Sequence, residues 1–169
     1  MDSVTFSDVS ASIVKIKNFS PKGKTLLKIK RKGKVLDLVF DDGNHIISGL
    51  GMSGSWQYSK EKITVKHTHI LFKCSNKNGT IYIGYVDPRR FGNAYFENEA
   101  DANERLDKLG VDISTKAFTG EHIYNLMQSH PNKELKPFML EQKYFAGIGN
   151  YIASEMCAHA GVRPTRLVG

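Results

Sequence analysis

The sequence predicts an α+β fold in which an antiparallel β-sandwich or barrel precedes a group of helices. Closely spaced β-prone segments fill the first two thirds of the chain, and helical patterns replace them after Glu97. The chain has 169 residues, of which 40% are hydrophobic and 24% charged. This composition is typical of a globular protein with one ordinary domain or two small ones.

Short polar turns separate the β-prone segments. The turns are Asp-Asp-Gly-Asn at 41–44 and Ser-Asn-Lys-Asn-Gly at 75–79, and both favour hairpins. A third break, at 49–54, contains three glycines in six residues. The predicted strands are residues 35–40, 45–48, 67–73, 80–86 and 93–96.

Capping and breaking residues mark the helices. Thr119 and Asn132 can cap helix N-termini, Pro137 is tolerated only near a first turn, and Gly110 and Gly161 end helices. The predicted helices are residues 98–109, 119–129, 132–142 and 150–159. We therefore expect a β-rich domain at 1–110 and a helical domain at 111–169.

The net charge of +7 indicates a polyanionic partner. The positive charge is concentrated, because residues 15–34 contain nine Lys or Arg side chains and no acidic one. Nucleic acid is the partner that this pattern favours, since lysines that neutralise phosphates release counterions. A solvated basic face, or non-specific binding to membranes or RNA, is the alternative.

The cysteine content and the absence of targeting signals indicate an intracellular protein. Cys74 and Cys157 are far apart and read as free thiols, which is typical of a reducing compartment. No apolar run approaches the roughly 18 residues of a membrane span. The N-terminus does not resemble a secretory signal. We expect the nucleus, the nucleoid or the cytoplasm, according to the organism.

Two motifs contain residue types that bind nucleic acid. Gly-Ile-Gly-Asn at 147–150 precedes a predicted helix, whose unpaired amide groups suit a phosphate. Alternatively, these glycines only form the turn before the helix, which is a common arrangement. Asp-Pro-Arg-Arg-Phe-Gly at 87–92 places two guanidinium groups and a ring on one loop, where they can meet phosphates, base edges or a base stack. Alternatively, Phe91 belongs to the core and Asp87 pairs with a neighbouring arginine.

Met52 and a histidine pair are further candidates. Met52 lies at the apparent tip of the glycine-rich loop, where it either enters a base stack or folds back onto the core. His67 and His69 are expected on one face of a strand, a spacing that can bind zinc. Because no third ligand cluster is obvious, a hydrogen-bonding or phosphate-facing role is favoured over a zinc hydrolase.

These motifs, taken together and in order, resemble those of the formamidopyrimidine-DNA glycosylase / endonuclease VIII family. The resemblance covers residues 26–166. The motifs are Gly-Leu-Gly-Met-Ser-Gly at 49–54, Lys-His-Thr-His at 66–69, Asp-Pro-Arg-Arg-Phe-Gly at 87–92, Leu-Gly-Val at 109–111, the run from Leu135 to Glu155, and Ala-Gly-Val-Arg-Pro at 160–164.

The resemblance implies a β-sandwich followed by a helix–two-turn–helix module, and a base-excision-repair DNA glycosylase/AP lyase that acts on oxidised bases. Such an enzyme flips the base out, cleaves its glycosidic bond and nicks the strand through a Schiff base. The partner is damaged double-stranded DNA, with no membrane, and we expect a monomer. The implied DNA-binding residues are Lys34 and Asn150 at phosphates, Arg89 at the orphaned base, Met52 and Phe91 as wedges, and His67.

The chain also departs from the family pattern. The family begins with Pro-Glu, which supplies the amine nucleophile and a proton-transfer group, whereas this chain begins Met1-Asp2-Ser3. We therefore assign no catalytic residue. Gly49 replaces a common histidine, and the family's first helix and C-terminal zinc finger are expected to be absent, so no cofactor or metal is predicted.

These departures leave three hypotheses. The chain is an incomplete sequence of an active enzyme, a catalytically silent remnant that binds damaged DNA, or a general nucleic-acid binder. Because the family's first helix packs on the sandwich, its absence should expose apolar surface and make this polypeptide marginally stable.

Overall fold

A computed structural model describes residues 1–7, 13–16 and 19–169. The chain divides into two compact units. Unit 1 consists of Met1–Arg31 and Val35–Asn103, and unit 2 of Lys32–Lys34 and Glu104–Gly169. The mixed α+β class predicted from the sequence is confirmed.

Two sheets make up the β-rich part of the chain among the residues that the structure describes. Their strands are β1 Ser3–Phe6, β2 Val14–Ile16, β3 Leu26–Lys32, β4 Val35–Phe40, β5 Asn44–Gly49, β6 Ser55–Ser59, β7 Thr68–Asn76, β8 Gly79–Val86 and β9 Asn93–Asn98. One sheet has the order β1-β7-β8-β6 and the other the order β2-β9-β5-β4-β3. The segments predicted as strands all lie in these elements, except that β7 begins at Thr68 and not at His67.

The pairing of β2 with β9 is parallel, with Val14 opposite Ala94. The expectation of an entirely antiparallel sheet arrangement is wrong for this pair. Turn patterns predict orientation only between strands that a short turn joins, and β2 and β9 lie far apart in the chain.

The core of unit 1 takes side chains from both sheets, as in a β-sandwich. Phe72 and Tyr85 come from the four-stranded sheet, and Phe40 and Phe96 come from the five-stranded sheet. All four are at most 1% exposed. Trp56 stacks on Phe72 with ring centroids 5.7 Å apart. This core fixes the ends of the strands from which the loops described below project.

The remaining elements are helical, apart from one short strand pair. They are α1 Glu99–Asp107, β10 Val111–Asp112, α2 Gly120–Gln128, α3 Leu135–Leu140, β11 Phe145–Ala146 and α4 Asn150–His159. β10 and β11 pair in parallel within unit 2. The core of this unit includes Phe138, Phe145, Ile148 and Cys157. In the part of the chain that the structure describes, no helix is both long and apolar enough to cross a membrane.

The helix caps agree with the sequence in one case and differ in another. Thr119 caps α2 as predicted, since its side chain accepts a 3.1 Å hydrogen bond from the His122 amide. The helix expected to follow Asn132 begins only at Leu135. The preceding residues pair with the C-terminal segment instead, because the amide of Val168 donates to the Lys133 carbonyl at 2.9 Å.

Candidate nucleic-acid interface

Met52 lies at the tip of the turn between β5 and β6, which we call the Met52 loop (residues 50–54). The Gly54 amide donates to the Leu50 carbonyl at 2.8 Å and closes this turn. The Met52 side chain is 75% exposed. The alternative in which Met52 folds back onto the core is therefore wrong, because a packed methionine is buried.

Arg89 and Phe91 lie on the connection between β8 and β9, which we call the Arg89 loop (residues 87–92). Phe91 is 58% exposed, so the alternative that places it in the core is wrong. The guanidinium carbon of Arg89 lies 4.7 Å from the centroid of the Phe91 ring, a cation–π contact. Arg90 adopts the left-handed conformation with φ +58° and gives this loop its sharp turn.

The two loops touch each other within unit 1. Gly51 has φ +61°, and a Cβ atom at this position would lie 2.7 Å from the carbonyl carbon of Phe91. Only glycine allows the two backbones to come this close. Met52, the next residue, therefore projects from a backbone that rests on that of Phe91.

Asp87 joins the loops through hydrogen bonds. Its carboxylate accepts from the Ser53 hydroxyl at 2.5 Å and from the Gly92 amide at 2.8 Å. Burial acts to raise the pKa of this carboxyl, but the hydrogen bonds from Ser53 and from nearby backbone amides outweigh it and lower the pKa below the ordinary value. The carboxylate is thus charged and bonded to both loops. The sequence left open an ion pair between Asp87 and a neighbouring arginine, whereas its described side-chain bonds go to the Ser53 hydroxyl and the Gly92 amide.

The histidine pair does not share a strand face. His67 precedes β7 and has φ +68°, which breaks the alternation that the expectation required. His69 is 1% exposed, and its Nε2 donates to the Asp87 carbonyl at 2.9 Å. Its Nδ1 then accepts from the Ser7 hydroxyl at 3.1 Å. Both nitrogens of His69 are engaged, and no group of three potential metal ligands occurs among residues 1–7, 13–16 and 19–169.

Lys34 meets the N-terminal end of α4 within unit 2. Its Nζ donates to the Ile148 carbonyl at 3.0 Å and lies 3.8 Å from the position of a Cβ atom on Gly149. The first amides of α4 have no intrahelical acceptor, and Gly149 at the N-cap offers them no side-chain acceptor. Asn150 is exposed beside them. An ammonium group and unpaired amides in this arrangement can hold a phosphate.

The amino group of Met1 lies at the far end of the four-stranded sheet from the Arg89 loop. It donates to the Lys24 carbonyl at 2.6 Å, and the Asp2 amide donates to the Lys73 carbonyl at 2.7 Å. The Arg89 loop begins beyond the other end of β7, where the Asp87 amide meets His67. Lys73 and His67 are six residues apart, so strand geometry puts roughly 20 Å between these positions.

Sequence reasoning missed two residues that position the loops. The sequence shows Ser53 only as part of a motif, although a hydroxyl beside glycines often bonds to a loop backbone. The sequence pattern predicts Tyr85 only as a strand residue. Its hydroxyl donates to the Gly49 carbonyl at 3.1 Å, and burial raises its pKa to about 12. A polar ring at an otherwise apolar strand end was the available signal.

The model of the formamidopyrimidine-DNA glycosylase N-terminal domain matches residues 3–94, which are 92 of the 169 residues. The chain belongs to this family. A formamidopyrimidine-DNA glycosylase of Methylococcus capsulatus is 36% identical over 151 residues, which cover 87% of this chain and 53% of the relative. One from an Enterobacter species is 35% identical over 145 residues, covering 85% and 52%.

Solved structures of the family share the fold. The crystal structure of the MutM (Fpg) protein of Thermus thermophilus superposes with a TM-score of 0.77 at 26% identity, covering 98% of this chain and 58% of the other. The Lactococcus lactis protein in complex with a FAPY-dG-containing DNA gives a TM-score of 0.76 at 26% identity, covering 87% and 55%. This chain spans about half the length of the curated relatives it matches.

Proposed function

We propose that this chain binds damaged duplex DNA as part of a base-excision-repair DNA glycosylase/AP lyase that acts on oxidised bases. The observation that carries the proposal is the exposure of Met52 and Phe91 on two loops that touch each other. Large apolar side chains grouped on a surface indicate a partner that covers them. A base stack with a gap is such a partner.

The chemistry of a base in a duplex explains why two such loops are needed. An enzyme that acts on a base takes it out of the stack, at a cost of a few kcal/mol that is lowest at a damaged pair. Apolar side chains that enter the vacated space replace the lost stacking. Arg89, held over the Phe91 ring, then has donors available for the base left behind.

Unit 2 supplies a phosphate contact in this proposal. We infer that its helices form the helix–two-turn–helix module of the family, with Lys34 and Asn150 at one phosphate. Support comes from the Lys34 ammonium group beside the uncapped first turn of α4. A phosphate contact positions the protein on DNA without reading sequence.

The partners of similar proteins support damaged DNA as the ligand. The Lactococcus lactis protein has been crystallised with DNA containing FAPY-dG and with DNA containing an AP site. In the proposed reaction, the bond between the base and the sugar breaks first. The aldehyde of the resulting abasic sugar condenses with an amine, releasing water, and the Schiff base then allows β-elimination to break the strand. No described residue of this chain is assigned as that amine. The described residues of this chain bind and orient the DNA for these steps.

A binding measurement on the whole chain tests the proposal. Duplexes that contain one abasic-site analogue and otherwise identical intact duplexes are compared by fluorescence anisotropy at the same salt concentration. We expect the abasic duplex to bind at least about tenfold more tightly, because it needs no base to be unstacked. Equal affinities would overturn the proposal and favour a general nucleic-acid binder.

Substitution of the wedge residues makes the test specific. The variants Met52→Ala and Phe91→Ala should lose most of the preference for the abasic duplex and keep most of the affinity for intact DNA. Tyr58→Ala is the matched control, because Tyr58 is 84% exposed on β6 and lies outside both loops. It should keep the wild-type preference. Borohydride trapping on abasic DNA separately distinguishes an active lyase from a protein that only binds.

A further inference from the structure

Asp87 is a buried carboxylate at the root of the Arg89 loop, and its exposed fraction is 0%. A charged group in such a place needs hydrogen-bond partners, since an unpaired buried charge is strongly destabilising. The partners found here are Ser53 on the Met52 loop and the Gly92 amide on the Arg89 loop. Asp87 thus bonds to both loops at once.

Ser53 extends this connection to Arg89. Its hydroxyl donates its single proton to Asp87, which leaves the oxygen lone pairs free to accept. The Arg89 amide donates to that oxygen at 3.1 Å. A continuous chain of hydrogen bonds therefore runs from the Arg89 backbone through Ser53 to Asp87, and it leaves the Arg89 guanidinium group over the Phe91 ring.

Side chains of β7 and β8 hold the bases of the two loops in place. The imidazole of His69 donates to the Asp87 carbonyl at 2.9 Å, and Tyr85 donates to the Gly49 carbonyl at 3.1 Å. Cβ atoms at Gly54 and Gly92 would both overlap the Tyr85 hydroxyl oxygen. Both loops are therefore packed against the same rigid strand end, and Asp87 connects them there.

We propose that Asp87, acting through Ser53, is a positioning residue that holds the Met52 loop and the Arg89 loop in a fixed arrangement, so that Met52 and Phe91 enter a gap in the base stack together. This inference rests on the proposed function and adds to it the residues on which discrimination of damaged DNA depends. Rigid loops lose little conformational entropy when they enter a gap in the stack. Loops that are not connected must be ordered at each binding event, and the preference for a gapped duplex falls.

Two variants test this role. Ser53→Ala removes the hydroxyl that Asp87 and the Arg89 amide share, and Asp87→Asn removes the charge but keeps the shape. Both should lower the preference for abasic over intact duplex by about tenfold. Each side chain that must be ordered on binding lowers the affinity by up to about a factor of ten. The affinity for intact duplex should stay within about twofold, because phosphate contacts dominate it.

Matched controls separate positioning from general stability. Thr68→Ala removes a hydroxyl bonded to a backbone carbonyl outside both loops, that of Val65, and should keep the wild-type preference. Ser53→Thr retains a hydroxyl and should recover most of the preference that Ser53→Ala loses. The thermal transition of each variant is measured alongside, and if Asp87→Asn does not fold, Ser53→Ala decides the outcome.

Each result points to a different conclusion. If the wild-type chain does not prefer abasic duplex, the proposed function fails and this inference fails with it. If the wild-type chain shows the preference and folded Ser53→Ala keeps it in full, the positioning role alone is wrong. Loss of affinity for both duplexes in parallel with a lower thermal transition would also contradict it, because that is the signature of a merely structural residue.

Discussion

The ammonium group of Lys34 donates a 3.0 Å hydrogen bond to the carbonyl of Ile148, two residues before α4 begins. A lysine held in this way keeps further donors for a phosphate at the helix terminus. We expect Lys34→Met to weaken binding to intact and abasic duplexes alike. The slope of log affinity against log salt should fall in magnitude by about 0.9, the value for one lost phosphate contact.

The matched control for this prediction is Lys77→Met. Lys77 is an exposed lysine of the β7–β8 turn, and its loss changes the net charge by the same amount. It should leave the salt slope nearly unchanged. Equal slopes for Lys34→Met and the wild-type chain would show that Lys34 does not contact DNA.

Gly33 allows the turn before Lys34 to lie against the backbone at Gly147. Gly33 has φ +57°, and a Cβ atom there would lie 2.7 Å from the Gly147 nitrogen. Gly43 also has a positive φ, +76°, but a Cβ atom there would meet nothing within 4 Å. We expect Gly43→Ala to cost about 1–2 kcal/mol of backbone strain, and Gly33→Ala to cost about 1–3 kcal/mol more.

Chemical denaturation of the two glycine variants measures this difference. Because both substitutions impose the same kind of backbone strain, the difference in the free energy of unfolding isolates the close contact with Gly147. Equal losses would show that the backbone near Gly147 relaxes freely. Lys34→Met should then be repeated in the Gly33→Ala background, where we expect little further loss of affinity.

Local signals predicted the parts of this fold that depend on neighbours in the chain. The strand at Val35–Phe40 has the bounds expected from its apolar run and the turn that follows, and Thr119 caps its helix. α3 begins two residues later than a cap at Asn132 requires, since that cap would make Lys133 the first helical residue. The residues before it pair with the C-terminal segment, where the Val168 amide donates to the Lys133 carbonyl at 2.9 Å. Local patterns do not contain that pairing.

The candidate site shows the same limit. The motifs alone left open whether Met52 and Phe91 are exposed or buried. The resemblance to the family named both as wedge residues, but it did not show what holds them together. Ser53 and Asp87 are 34 residues apart, and only the strand register brings them within hydrogen-bond distance. His67 leaves the strand because of its positive φ, which two histidines at alternate positions do not reveal. The Ser53–Asp87 hydrogen bond and the backbone conformation of His67 are both visible only in the folded structure.

Because of Tyr85, the stability of unit 1 changes with pH in the alkaline range. The phenol ionises near pH 10 in the unfolded chain and at about 12 in the folded chain, because of burial and the nearby Asp87. Between these values the unfolded state releases the proton first, so folded stability falls as the pH rises. Ionisation of Tyr85 should lower the free energy of unfolding of the wild-type chain by about 2–3 kcal/mol between pH 10 and 12.

Denaturation of Tyr85→Phe over this pH range tests that dependence. The variant lacks the ionising group and should lose less stability above about pH 10 than the wild-type chain. It should also be less stable near pH 7 by about 1 kcal/mol, because the hydrogen bond to the Gly49 carbonyl is gone. Parallel pH profiles for the two proteins would contradict the shifted pKa.

Met1 lies in the wrong place to act as the amine of a Schiff base in this chain. Its amino group bonds to the Lys24 carbonyl at 2.6 Å, at the sheet end away from Met52 and Phe91. The reacting sugar carbon must come within about 3–3.5 Å of a nucleophile. After borohydride reduction with abasic DNA, we therefore expect no cross-link on the peptide that contains Met1.

Peptide mapping by mass spectrometry measures this directly, and selective acetylation of the N-terminal amine is the control. Acetylation should leave both the adduct yield and the nicking rate unchanged. An adduct located on Met1 would mean that the N-terminal strand leaves β7 when DNA binds, since Asp2 and Ser3 hold it there by backbone pairing with Lys73. Hydrogen exchange at the β1 amides would then have to rise in the complex, whereas a static β1 predicts that these amides stay protected.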